Sequence, residues 1–182
     1  MTKTKQIALT AVFITLGVVI PQIFHLFALS GKVFLPMHIP VLLCGFACGG
    51  LCGAICGTLT VLLSSLMTGM PPLYPYGVSM GLELMTYGLI AGLLYNRMGL
   101  YPSLIAGMLS GRVVMGCVNA ILAGVAGKSY AIAGFVSGAF IVSFPGIVIQ
   151  LIAIPIIIKT LEKANLLDDN SRAQEEQITK QE

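Results

Sequence analysis

The chain has 182 residues, of which 57% are hydrophobic and 9% charged, with a net charge of +3. A soluble domain carries about 25% charged residues, so this chain lacks the polar side chains to face water and reads as an integral membrane protein. The length suits one compact bundle, and a small net charge without any Lys/Arg-rich block excludes nucleic acid as a partner.

A helix needs about 20 apolar residues to cross the hydrocarbon core, and six segments meet that pattern. The first covers residues 5–27. Its apolar run from Ile7 to Leu29 is too long for a signal-peptide core and has no small-x-small cleavage site after it. The second and third segments, 35–49 and 51–68, are together too long for one helix, and the Gly49-Gly50 pair is the natural turn between them. The remaining three are 76–95, 101–126 and 132–159. The expected fold is therefore an all-α membrane bundle of six helices over residues 1–165, followed by a polar, disordered tail at 166–182.

Orientation follows from the cations in the short flanks. With six spans, Lys3, Lys5, Arg97, Lys159 and Lys163 fall on one side, and Lys32 and Lys128 on the other. Both termini are then expected on the cytoplasmic side.

Between the second and third segments, "CGFACGGLCGAICG" sets Cys44, Cys48, Cys52 and Cys56 at intervals of four, and Gly45, Gly49, Gly53 and Gly57 keep the same interval. A four-thiolate metal needs every sulfur within about 2.3 Å of one point. On one continuous helix the four cysteines would spread over about 18 Å. A turn at Gly49-Gly50 brings Cys44 and Cys56 back to similar depth, but no carboxylate or histidine at ligand spacing joins them. No metal or cofactor is expected. The cysteines read as small apolar filler. The glycines read as packing positions, because lipid offers helices no hydrophobic drive to associate and small residues let backbones approach closely.

Charge inside the membrane is costly and marks function by default. Glu83 lies in the fourth segment, within "YPYGVSMGLELMTYG", and Arg112 lies mid-membrane in the fifth, within "LIAGMLSGRVVMGCVNA". They are placed to pair, either to fix packing or to face a polar cavity open to the outside. Other polar residues gather at the outer level: Asn119, seven residues beyond Arg112; Ser137 and Ser143; His38 and His25; Thr68, Tyr74 and Tyr76 around the loop "TGMPPLYPYG"; and Tyr130. Gln150 lies deeper, where it reads as a bond between helices. The inner half is almost wholly apolar. That asymmetry describes an outward-facing pocket for a small polar molecule, capped by a proline-stiffened loop.

Two motifs lead nowhere. "AGKS" at 126–129 would need glycine at position 122 to be a phosphate loop, and Leu122 stands there. His25 and His38 have no metal-ligand spacing on one helix.

The run "LPMHIPVLLCGFACGGLCGAICG", then "SSLMTGMPP" and "LELMTYGLIAGLLY", resembles the substrate-binding S component of energy-coupling factor (ECF) vitamin transporters. The resemblance implies a non-enzymatic capture subunit in the bacterial plasma membrane. Such a subunit binds a vitamin or precursor from outside and delivers it through a transmembrane coupling protein and two ATPases, which hydrolyse the ATP. Family members often dock through an Ala-x-x-x-Ala motif on the first span. Here Val12 follows Ala8 at that interval, and Ala8 with Thr4 and Ala11 with Thr15 are the small pairs that stand in for it.

The pattern is most similar to pantothenate-type S components. On that reading Arg112 binds the ligand carboxylate, and Asn119, Glu83 and Ser137 bond its hydroxyls and amide. The absence of tryptophan disfavours riboflavin and thiamin. Tyr74, Tyr76 and Tyr130 can stack a pyridine or pyrimidine, which keeps pyridoxine and hydroxymethylpyrimidine as alternatives. A stand-alone secondary transporter would need a polar path through the inner half and usually an internal repeat, and neither is legible. A membrane enzyme would need a nucleophile with a base, or a metal, and no such constellation stands out.

Overall fold

In the computed structural model the described residues are 2–27, 31–127 and 129–164, and every element among them is helical. The expected tail at 166–182 lies outside them, as do Lys128 and the side chain of His25. In chain order the helices are α1 (Lys3–Leu26), α2 (Gly31–Phe34), α3 (His38–Cys48), α4 (Gly50–Thr68), α5 (Val78–Met98), α6 (Leu100–Val125), α7 (Ile132–Val136) and α8 (Phe144–Lys163).

Five helical stretches are long and apolar enough to cross a membrane: Lys3–Phe24, Gly50–Thr68, Leu73–Met98, Leu100–Val125 and Phe144–Lys163. Two of the six expected spans differ from the sequence reading. The second is the 11-residue α3, which rises only about 16 Å and reaches half-way through the hydrocarbon core. The sixth is not continuous. From α7 the chain runs through a wide π-type turn at Ser137–Val142, breaks at Ser143, and restarts as α8 with Pro145 at its first turn. Proline has no N–H to continue the preceding ladder and is well suited to open a new helix. The Ser143 hydroxyl donates to the Gly138 carbonyl at 2.9 Å, satisfying an acceptor that the break frees.

The centre of the molecule is a glycine contact among three helices. A Cβ on Gly53 would lie 2.6 Å from the Gly88 carbonyl oxygen and 2.7 Å from the Gly45 Cα. Gly45 and Gly57 are equally close to α5 backbone, at 2.5 Å from the Gly88 oxygen and the Leu84 carbonyl. The ladder thus joins α3 and α4 to each other and clamps both onto α5, whose Gly88 and Gly92 answer it. Gly49 is the exception to the expected packing set. A Cβ there would meet nothing within 4 Å, and its φ of +92° marks it as the turn residue between α3 and α4.

The cysteines are all free, and Cys44, Cys48 and Cys56 are buried in the same contact region. Cys44 donates weakly to the Thr10 hydroxyl at 3.8 Å, and Cys56 lies 3.9 Å from that of Thr60. Below the site, Val41, Leu42, Leu84, Tyr87, Leu104, Ile154 and Ile158 close the core with almost no exposed surface. At the end of the bundle where α1 begins and α8 ends, the Tyr95 hydroxyl donates to Glu162 at 2.5 Å, tying α5 to α8.

Candidate functional site

Three helices bring charge to one level. Counted from the α3 C-terminus, the α5 C-terminus and the α6 N-terminus, His38, Glu83 and Arg112 stand about 15, 22 and 18 Å up their helices. Arg112 Nη1 lies 2.9 Å from Glu83 Oε1, with both side chains buried. His38 Nε2 lies 3.7 Å from the same oxygen, outside hydrogen-bonding range. The Arg112–Glu83 contact is an ion pair rather than an aligned hydrogen bond, since Glu83 Oε1 has no hydrogen-bond partner.

These residues form the inner wall of a cavity of about 1010 Å³. That is at the upper end for small-molecule sites. Its sides are largely apolar, with Met37, Met80, Met115 and Phe135 among them. Its rim includes the α4–α5 loop, which is stapled in place. Ser64 donates to the Met70 carbonyl and Ser65 to that of Pro71, each at 2.7 Å. The Thr68 hydroxyl donates to the Ser64 carbonyl at 2.8 Å and accepts from the Met70 N–H at 3.2 Å. Gly77 N–H closes the loop onto the Pro72 carbonyl at 2.8 Å.

Of the residues expected to bind substrate, Arg112, Glu83, His38, Asn119 and Tyr76 all line this cavity. Three do not. Tyr74 is 62% exposed and points away, because its extended backbone (φ −126°, ψ 137°) turns it out of the loop. Ser137 lies on the π-type turn, off the cavity wall, while its neighbours Gly138 and Ser143 line it. Tyr130 packs on Phe135, with ring centroids 6.2 Å apart and its hydroxyl near Asn119, and it does not line the cavity. Ala8, Ala11 and Thr15 are exposed together on one face of α1, opposite the buried Thr10, Phe13 and Gly17. The Thr15 hydroxyl is spent inside its own helix, on the Ala11 carbonyl at 2.9 Å.

Sequence reasoning missed two residues. Gln22 of α1 lines the cavity, and its Nε2 is buried without a hydrogen-bond partner. An isolated amide in an otherwise apolar span was the available signal. Tyr87 of α5 is wholly buried, and its ring packs edge-on against His38 with centroids 5.2 Å apart. Gln150 was read as a helix-to-helix bond, yet neither of its buried amide atoms has a hydrogen-bond partner.

The chemical character of the site lies in its unpaired nitrogens. Arg112 Nη2, Gln22 Nε2 and both ring nitrogens of His38 are buried and unpartnered around one cavity. Buried polar groups are ordinarily satisfied, and each one left bare costs about 1–3 kcal/mol. Among the described residues no group of three or more His, Cys, Asp or Glu side chains is placed to hold a metal. The arrangement suits a small molecule that brings acceptors, above all an anionic one.

No curated protein and no solved structure is significantly similar to the chain. The family described as "ECF transporter, substrate-specific component" matches residues 5–158, most of the chain and nearly all of its described helices, and the chain belongs to that family.

Proposed function

We propose that this protein captures pantothenate from outside the bacterial plasma membrane and hands it to an ECF module of one transmembrane coupling protein and two ATPases. Membership of the family makes it a multi-pass, substrate-binding transport subunit rather than an enzyme. The observation that carries the choice of ligand is Arg112. One of its amino groups holds Glu83, while the other is buried without a partner beside a cavity that the residue lines. A ligand carboxylate fits that free amino group as a charge-assisted bond. Gln22, Asn119 and His38 stand round the same space for the amide and hydroxyls of the ligand. Met37, Met80 and Met115 suit its gem-dimethyl carbon.

In this reading α3 with the preceding turn acts as the second, incomplete span and brings the total to six, and both termini lie in the cytoplasm. The cations of the α1 start, the α5 end and the α8 end support that orientation. The exposed small-residue face of α1 at Ala8, Ala11 and Thr15 is the docking face for the coupling protein.

The test is mass spectrometry of the small molecule that co-purifies with the detergent-solubilised protein, followed by calorimetric titration. Submicromolar binding of pantothenate is expected. Binding of pyridoxine or hydroxymethylpyrimidine in its place would keep the capture role and reject the ligand. Uptake by this chain alone, without ATPase partners, would reject the role.

A further inference from the structure

Two buried groups beside the ion pair have no task in the ligand-free protein. The Tyr87 hydroxyl and the His38 imidazole carry no hydrogen bond, although Tyr87 is fully buried and His38 nearly so. Phenylalanine would fill the Tyr87 site equally well if the ring were only packing. The ring is also held firmly. A Cβ on Gly111 would fall 2.0 Å from it, so glycine is what admits it, and His38 meets its edge. The hydroxyl borders both Glu83 and Arg112 from one helical turn further in.

Binding of a carboxylate creates a problem that these groups are placed to solve. In the empty site Arg112 and Glu83 balance each other. A second carboxylate on Arg112 leaves two anions on one guanidinium in a buried setting, and an uncompensated buried charge is strongly unfavourable. Glu83 must then find other donors. His38 Nε2 already lies 3.7 Å from Glu83 Oε1, and a shift of well under 1 Å makes it a hydrogen bond. Tyr76 and Gln22 reach the cavity from its outer side and from α1, so Tyr87 and His38 are the donors on the inner side of Glu83.

We propose that Tyr87 and His38 are reserve donors that take over the Glu83 carboxylate when a ligand carboxylate engages Arg112. Tyr87 is a positioning residue, acting on the ligand through Glu83, while His38 lines the cavity and reaches Glu83 with its Nε2. The device rests on the anionic-ligand reading above, and it makes the site selective for a carboxylate over its neutral analogue.

The test is a double-mutant cycle read by calorimetry, with pantothenate and its alcohol analogue panthenol as probes. Tyr87→Phe should weaken pantothenate about ten-fold, as expected for a lost hydrogen bond to a charged group. It should leave panthenol within about two-fold of wild type. In a Glu83→Gln background, where no charge needs rehousing, Tyr87→Phe should cost pantothenate nothing further. His38 lines the cavity, so His38→Leu is read only as a ratio: it should lower the affinity for pantothenate relative to panthenol, beyond any loss that the two probes share. An equal loss for both probes, or a loss that persists with Glu83→Gln, overturns the proposal and assigns Tyr87 to packing. Uptake of one proton per pantothenate bound, read from the buffer dependence of the binding enthalpy, also overturns it, since a proton would then neutralise Glu83. A wild-type protein that binds neither probe overturns the pantothenate reading together with the device, and that failure shows before any variant is made.

Discussion

Arg112 and Glu83 meet at 2.9 Å across the α5–α6 interface, each a formal counter-charge to the other within a buried wall of the cavity. Removing one partner strands the other. Arg112→Ala is expected to lose pantothenate binding by at least 100-fold and to destabilise the bundle by about 3–5 kcal/mol. The double variant Arg112→Met with Glu83→Gln should recover most of that stability without recovering binding. Calorimetry beside a thermal melt in detergent separates the two effects, and unchanged affinity in either variant would remove Arg112 from the site.

Gly53 sits where α3, α4 and α5 touch. Gly53→Leu has no room, with the Gly88 oxygen 2.6 Å and the Gly45 Cα 2.7 Å from the first added carbon. The helices must move apart, and overpacking of this kind costs typically 1–3 kcal/mol or more. The expected result is poor yield and a lowered melting temperature. Gly49→Ala should also be destabilising, but through its φ of +92° rather than through contact. A normal melt for Gly53→Leu would refute the three-helix clamp.

The cysteine ladder should be dispensable for capture. Replacing all five cysteines by alanine leaves the glycine contacts intact and removes only weak sulfur–hydroxyl bonds at 3.8 and 3.9 Å. Pantothenate affinity within about three-fold of wild type is expected, since such bonds contribute little. Co-purifying metal, lost together with binding in the variant, would contradict this.

The exposed face of α1 separates docking from capture. Ala8→Trp and Ala11→Trp add bulk at positions that are exposed among the described residues, so pantothenate binding should be unchanged. Association with the coupling protein, measured by pull-down from co-expressed subunits, should fall by at least ten-fold. Full association would move the docking surface elsewhere.

The spans were legible in the sequence wherever apolar length decided them. Helices α1, α4, α5 and α6 lie within a few residues of their expected bounds, because about 20 apolar residues in lipid have few alternatives to a helix. The polar level of the cavity was legible too, since Glu83, Arg112 and Asn119 stand out against an apolar background. What hydropathy does not record is backbone geometry. Residues 132–159 read as one apolar run, and only Pro145 marks the break at Ser143. The orientations of Tyr74 and Ser137 depend on an extended residue and a π-type turn, which leave no trace in periodicity. Tyr87 looked like one more aromatic in a span, and its proximity to His38 joins residues 49 positions apart in sequence.

The shortness of α3 has a spatial meaning. A full span at this position would place about three more helical turns above His38, in the volume that the cavity now occupies. The binding space is therefore made by subtraction. The bundle does not splay its helices to admit a guest, and so it keeps the tight glycine contacts on its inner side. Lengthening α3 toward the outside would fill the site with protein before it disturbed the fold.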